Sequence, residues 1–293
     1  MRRTGLLHLM LLPGIILLVL FSILPMVGSV IAFQDFNPAL GVFKSDWIGM
    51  DNFKFMFELP DSRQVFANTL IIALMKIITG LVVPLTFALL LNEVRGRVFK
   101  RSVQTIVYMP HFLSWVILSG IVVDLLSYNG IINHLLGMFG VDPIMFMGSN
   151  RWFRWILVLT DVWKEFGFST IIYLAALTAA SPALYEAAAL DGAGRIRQLF
   201  HITLPAIAPT IVLLATLSIG NMLNAGFDQI FNMYNPLVYE TSDIIDTYVY
   251  RTGLVEQQYG LATAVGLMKS VVSFLLIILS YRLAYRFAGY RIF

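Results

Sequence analysis

Long apolar runs separated by short polar ones make up most of this chain. They fall at residues 7–33, 65–91, 103–126, 152–179, 206–231 and 260–285. Each exceeds the ~20 residues a helix needs to cross a hydrocarbon core of ~30 Å. Backbone in lipid must satisfy its own hydrogen bonds, and these runs are too long for barrel strands. The pattern therefore predicts an all-α membrane protein with six transmembrane helices, residues 1–293 forming a single transmembrane domain. An even number of spans places both termini on one side. The intervening polar segments at 34–64, 127–151 and 232–259 then share the opposite side.

Charge gives the orientation. With the N-terminus inside, the inner segments hold eleven basic residues: Arg2, Arg3, Arg95, Arg97, Lys100, Arg101, Arg195, Arg197, Arg282, Arg286 and Arg291. The outer segments hold six: Lys44, Lys54, Arg63, Arg151, Arg154 and Arg251. Positive flanks stay cytoplasmic, so the excess predicts both termini inside. Arg2 and Arg3 followed by Leu6 to Phe33 could pass for a signal peptide. The apolar stretch exceeds the usual 7–15 residues and lacks a small-residue cleavage site, so it reads as a retained first span.

Composition agrees. The chain is 58% hydrophobic and 13% charged, against about half apolar and a quarter charged in soluble domains. It has no cysteine, which removes disulfides, thiolate chemistry and iron–sulfur ligation. The outer segments carry Trp47, Phe53, Phe55, Phe57, Trp152 and Trp155. These read as an interfacial aromatic belt or as a rim for an extracytoplasmic binding protein.

The segment 181–205, on the inner side, is polar and alanine-rich. Ser181 suits a helix N-cap and Pro182 the first helical position, where no amide donor is required. Ala183 to Leu190 are strong helix formers, and Gly192 or Gly194 permits the left-handed residue that ends a helix. Small side chains at 187–189 would let such a helix sit deep in a partner's groove, with Glu186 offering a charge to a basic residue there. An ordinary amphipathic connector is the other reading of these residues.

The spacing Glu186-Ala187-Ala188, three residues to Gly192, nine more, then Ile202-Thr203-Leu204-Pro205 resembles the cytoplasmic signature of permease subunits of bacterial ABC importers. Its seven specified residues, with position 203 open, match without departure. Further blocks resemble the LplB-type branch of carbohydrate permeases: Ala32-Phe33-Gln34-Asp35-Phe36-Asn37-Pro38, Leu91-Asn92-Glu93, Tyr108-Met109-Pro110-His111-Phe112, Ile171-Ile172-Tyr173-Leu174-Ala175-Ala176 and Asp246-Thr247-Tyr248-Val249-Tyr250-Arg251. The resemblance implies the type I importer permease fold in a bacterial cytoplasmic (inner) membrane. It also implies a saccharide cargo, often an oligosaccharide. The implied partners are a second, homologous permease, two ATPase subunits that bind ATP and Mg, and an extracytoplasmic solute-binding protein. It assigns ATPase coupling to Glu186, Ala187, Ala188, Asp191, Gly192, Leu204 and Pro205.

The residues themselves agree with dependence on an outside motor. There is no G-x-x-x-x-G-K-[ST] phosphate loop. His8, His111, His134 and His201 are scattered without a metal-ligand spacing, no catalytic constellation is legible, and nothing suggests nucleic acid. Lys76, Lys269 and the cluster Asp161, Lys164 and Glu165 fall inside spans, where charge is costly and needs an interior reason. They read as internal ion pairs or contacts to helix carbonyls, those at 161–165 spaced to meet along one helix. Asn221, Asn224 and Asp228 would share one face of a continuous fifth span. That face suits hydroxyl-rich ligands or the interface with a second permease, and Phe227, Trp115 and Trp163 could stack on sugar rings. The competing readings are a permease for another solute, an ion-coupled secondary transporter with inverted repeats, and, remotely, an intramembrane enzyme.

Overall fold

The structure, a computed structural model, describes residues 2–288, with side chains from Leu9 to Arg286. Arg291 and the side chains of Arg2 and Arg3, counted above for orientation, lie outside the described residues. The first apolar run is α1 (Arg2–Leu18), a π turn (Val19–Ile23), α2 (Leu24–Val27) and a 3-10 segment (Gly28–Phe33). Two short antiparallel strands follow, β1 (Gln34–Asp35) and β2 (Asp46–Trp47), with Gln34 opposite Trp47. Next come α3 (Asp51–Glu58), α4 (Pro60–Glu93), α5 (Arg97–Tyr108), α6 (Trp115–Leu126) and α7 (Ile131–Met138). α8 (Asn150–Leu177) leads to α9 (Pro182–Leu190). α10 (Arg195–Gln198) runs through a π turn (Leu199–Thr203) into α11 (Leu204–Gly220). The chain ends in α12 (Phe227–Met233), α13 (Tyr239–Ser242), α14 (Ile245–Tyr250) and α15 (Tyr259–Ala288).

Five helical segments among the described residues are long and apolar enough to cross a membrane: Leu9–Phe33, Pro60–Glu93, Trp115–Met138, Arg195–Gly220 and Tyr259–Arg286. The sixth, Asn150–Leu177, qualifies together with Pro182–Leu190, to which it is bent by 71°. Its 28 residues reach about 42 Å at 1.5 Å per residue. What dilutes its apolar character is Arg151, Arg154, Asp161, Lys164 and Glu165. The six-span expectation and the helical class hold.

Two expected spans are interrupted. The run 103–126 is two helices, because Pro110 cannot continue the hydrogen-bond ladder. A 3-10 turn occupies Met109–Phe112, and the chain restarts at Ser114, whose hydroxyl accepts from the Ile117 amide at 3.4 Å. The run 206–231 breaks after Gly220. Turns follow through 221–223, and Gly226 stands at φ +98° before α12 begins. Asn221, Asn224 and Asp228 are thus not one face of a helix. Two π turns have a similar origin: those at 19–23 and 199–203 end two residues before Pro25 and Pro205. A ring that clashes with the carbonyl four residues back is relieved by a wider turn.

The described residues form two compact units. One comprises residues up to Arg63 with Ile245–Val271. Here the Asn52 amide donates to the Ala32 and Gln34 carbonyls at 2.9 and 3.1 Å. Phe33 stacks on Trp47 and tilts against Phe53, Phe36 meets Tyr259 edge-on, and Lys269 pairs with Asp246 at 2.5 Å. The blocks 32–38 and 246–251 therefore build this unit. The other comprises Gln64–Ile244 and residues from Val272 onward. Ile72, Phe153, Leu157, Ile230 and Ile244 fill one of its cores, and Ala88, Tyr173, Leu177 and Ile207 another.

Candidate functional site: the docking loop and the polar interior of α8

α9 is a short helix that closes its own C-terminus. Gly192 takes φ +76°, its amide reaches the Ala189 carbonyl at 3.1 Å, and the Ala193 amide reaches Ala188 at 2.8 Å. These are the two bonds of a Schellman cap, which satisfies carbonyls that the helix end would leave open. Gln198 adds a bond to the Ala193 carbonyl at 3.0 Å. At the other end Ser181 occupies the N-cap position but makes no side-chain cap; Pro182 at the first turn removes one donor instead.

Glu186, Ala187, Asp191 and Gly192 are exposed and Ala188 is half-buried. Leu190 is 90% and Ile196 74% exposed, so an apolar surface flanks the acidic side chain. Among the described residues, one side-chain bond holds α9 to the returning chain: Tyr185 Oη lies 3.0 Å from Thr203 Oγ1. Leu204 and Pro205 open α11 directly after the π turn. A cavity of 490 Å³ lies beside the loop, lined by Leu89, Glu93, Arg95, Tyr185, Arg195 and Thr203 among others.

Inside the same unit, α8 carries a ladder of polar contacts. Near its start Arg154 donates to the Thr241 carbonyl at 2.8 Å and to Asn68 Oδ1 at 2.6 Å. One turn on, the amide of Gln229, wholly buried on α12, donates to the Leu157 carbonyl and Thr160 Oγ1, both at 2.8 Å. Asp161 pairs with Lys76 of α4 at 3.1 Å. Lys76 also donates to the Ala225 carbonyl at 2.8 Å and to Gln229 Oε1. Lys164 donates to Glu165 at 3.0 Å and to the His111 carbonyl at 2.8 Å, and Glu165 meets His111 Nδ1 at 2.7 Å. Farther along, Gly167 leaves no room for a methyl group against the Val107 carbonyl of α5.

The intramembrane charges are thus ion pairs and carbonyl contacts, as expected for Lys76, Lys269 and the 161–165 cluster. The partners differ in one respect: Asp161 looks across to α4 rather than along its own helix to Lys164.

The six expected path residues do not share one site. Trp115 starts α6, with Lys164 Nζ 5.7 Å above its ring. Trp163 stands exposed on α8. At the second interruption Asn221 and Asn224 line a cavity of 240 Å³ with Lys76, Asp161, Ser218 and Gly226. Phe227 stacks on Phe231 within α12 at 5.1 Å, and Asp228 is exposed beside it; neither lines that cavity. Sequence reasoning missed the breaks themselves, and with them His111 and Gln229 as partners of Lys164 and Lys76. Pro110 and the Asn224-Ala225-Gly226 run were the signals available.

Comparison with known proteins places this architecture. Residues 80–289 match the family described as binding-protein-dependent transport system inner membrane component. The polygalacturonan/rhamnogalacturonan transport system permease protein YteP of Bacillus subtilis is 47% identical over 96% of this chain and 88% of its own length. Protein LplB of the same organism is 45% identical over 94% and 87%. Among solved structures, a bacterial ABC transporter involved in import of the acidic polysaccharide alginate matches with a TM-score of 0.90 at 40% identity, over 98% of this chain and 97% of that one. By the extent of these matches, this chain belongs to the family of binding-protein-dependent transport system inner membrane components.

Proposed function

We propose that this membrane permease subunit carries saccharides inward, working with a second permease, an extracytoplasmic solute-binding protein and two ATPase subunits that hold ATP and Mg. Both termini and α9 face the cytoplasm in this reading. α9 enters a cleft of the ATPase subunit through Glu186, Ala187, Ala188, Asp191 and Gly192, and Leu204 and Pro205 return the chain to the membrane. The observation that carries it is the exposed, self-capped α9 at a 71° bend from α8, in a chain of this family. Saccharide cargo is supported by a relative named for polygalacturonan and rhamnogalacturonan transport and by a structural neighbour described as involved in alginate import. At the second interruption, Asn221 and Asn224 line a cavity where their amide groups can meet sugar hydroxyls.

Purification from native membranes in mild detergent tests this directly. A second permease and an ATPase with a phosphate loop should co-purify. Glu186→Ala and Gly192→Pro should separate ATP hydrolysis from transport while all six spans remain inserted. Recovery of this chain alone, active in liposomes without ATP, would move the assignment to a secondary transporter. Transport of a different solute class by the intact complex would retain the permease and reject the saccharide.

A further inference from the structure

Both interruptions leave backbone carbonyls outside any helix ladder, and a buried polar group left unmet is costly. Each is met by a lysine from another helix. Lys164 Nζ reaches the His111 carbonyl at 2.8 Å, at the α5–α6 break. Lys76 Nζ reaches the Ala225 carbonyl at 2.8 Å, at the α11–α12 break. An ammonium has three donors. Those of Lys76 are taken by Ala225, Gln229 and Asp161. Lys164 faces the His111 carbonyl, Glu165 and the ring of Trp115. Neither lysine has a hand left for a ligand, and their side chains are 10% and 8% exposed.

The counter-ions make the arrangement specific. Asp161 and Glu165 stand one turn apart on α8, on the same face, and each neutralises the lysine that holds one break. Glu165 also grips the first break through His111 Nδ1. Gln229 fastens α12, beyond the second break, to the Leu157 carbonyl and Thr160. Both breaks are therefore bound to the helix that leads into α9.

We propose that Lys76 and Lys164 are positioning residues for transport: with Asp161 and Glu165 they bind both interrupted spans to α8, so that any displacement of α8 is imposed on the two breaks together. This rests on the importer reading, in which α9 receives the motor's movement.

The test uses the complete transporter in lipid nanodiscs, with spin labels at the exposed positions Leu190 on α9 and Val116 on α6. In the unmodified protein, ATP with vanadate should shift both labels. In Lys164→Met the label at 190 should still shift and that at 116 should stay. Saccharide transport per complex should fall about tenfold, a typical scale for loss of coupling, with KM for the loaded binding protein within about twofold. Lys164→Arg, which keeps the charge and donors, should restore both readouts.

If the lone Glu165 charge prevents assembly, Lys164→Met/Glu165→Gln removes it and is scored the same way. Lys76→Met and Lys76→Met/Asp161→Asn, labelled at the exposed Asn232 on α12, repeat the test for the second break. Labels that move as in the unmodified protein would overturn the proposal, as would a raised KM with kcat preserved, since that is the mark of a ligand contact. An unmodified transporter in which ATP moves neither label would instead overturn the importer reading.

Discussion

α8 and α9 are consecutive, yet they are held by opposite means. α8 is cross-linked along its length, through Arg154, Asp161, Lys164, Glu165 and the close contact at Gly167. α9 satisfies its own C-terminus and touches the rest of the chain through the Tyr185–Thr203 bond. The contrast separates two kinds of site. A helix embedded among others takes its order from distant residues, so a change there propagates. A helix that must be received by another protein has to keep its shape while exposed, and a change there should alter what it engages and little else.

The sharpest way to break this contrast is Lys76→Met. It strands Asp161 and leaves the Ala225 carbonyl unmet, and loss of one partner of a buried pair costs about 3–5 kcal/mol. Thermal denaturation of the purified complex should register a large fall in Tm. Lys76→Met/Asp161→Leu, with no stranded charge, should recover much of it. Gly167→Ala comes next, because the added methyl meets the Val107 backbone rather than a side chain that can turn away. Overpacking of this kind costs about 1–3 kcal/mol, visible in the same melt.

In α9 the effects shrink. Gly192→Ala must adopt φ +76°, a cost of about 1 kcal/mol. It should speed hydrogen exchange at Ala189–Ala193 without moving the global Tm. Glu186→Ala should leave stability within about 0.5 kcal/mol, as for exposed substitutions generally, and yet abolish ATP-driven uptake. A fall in Tm for Glu186→Ala as large as that for Lys76→Met would erase the distinction.

The same contrast decides what could be read in advance. α9 was legible because its determinants are local: a proline at the first turn, alanines, then a glycine at the cap. The six apolar runs were legible because bilayer thickness imposes a length on each. The breaks at 109–114 and 221–226 were hidden, since the apolar face of α5 runs on into α6 and the apolar α11 runs on into α12, so each pair looks like one long run. Lys76 signalled that it needed a partner, but nothing near it says that Gln229, 153 residues away, shares it with Asp161. Asn221 and Asp228 misled for the same reason: a helical repeat was assumed across Gly226, where the backbone turns left-handed.

The 71° angle between α8 and α9 has a mechanical consequence. Resolved at that elbow, a thrust along α9 has an axial component on α8 of about a third, and most of the force acts crosswise. α8 would then swing like an oar about its tethered Arg154 end and slide little along its length. Displacement would grow with distance from that pivot, so the break held at residue 165 would sweep farther than the one held at 161.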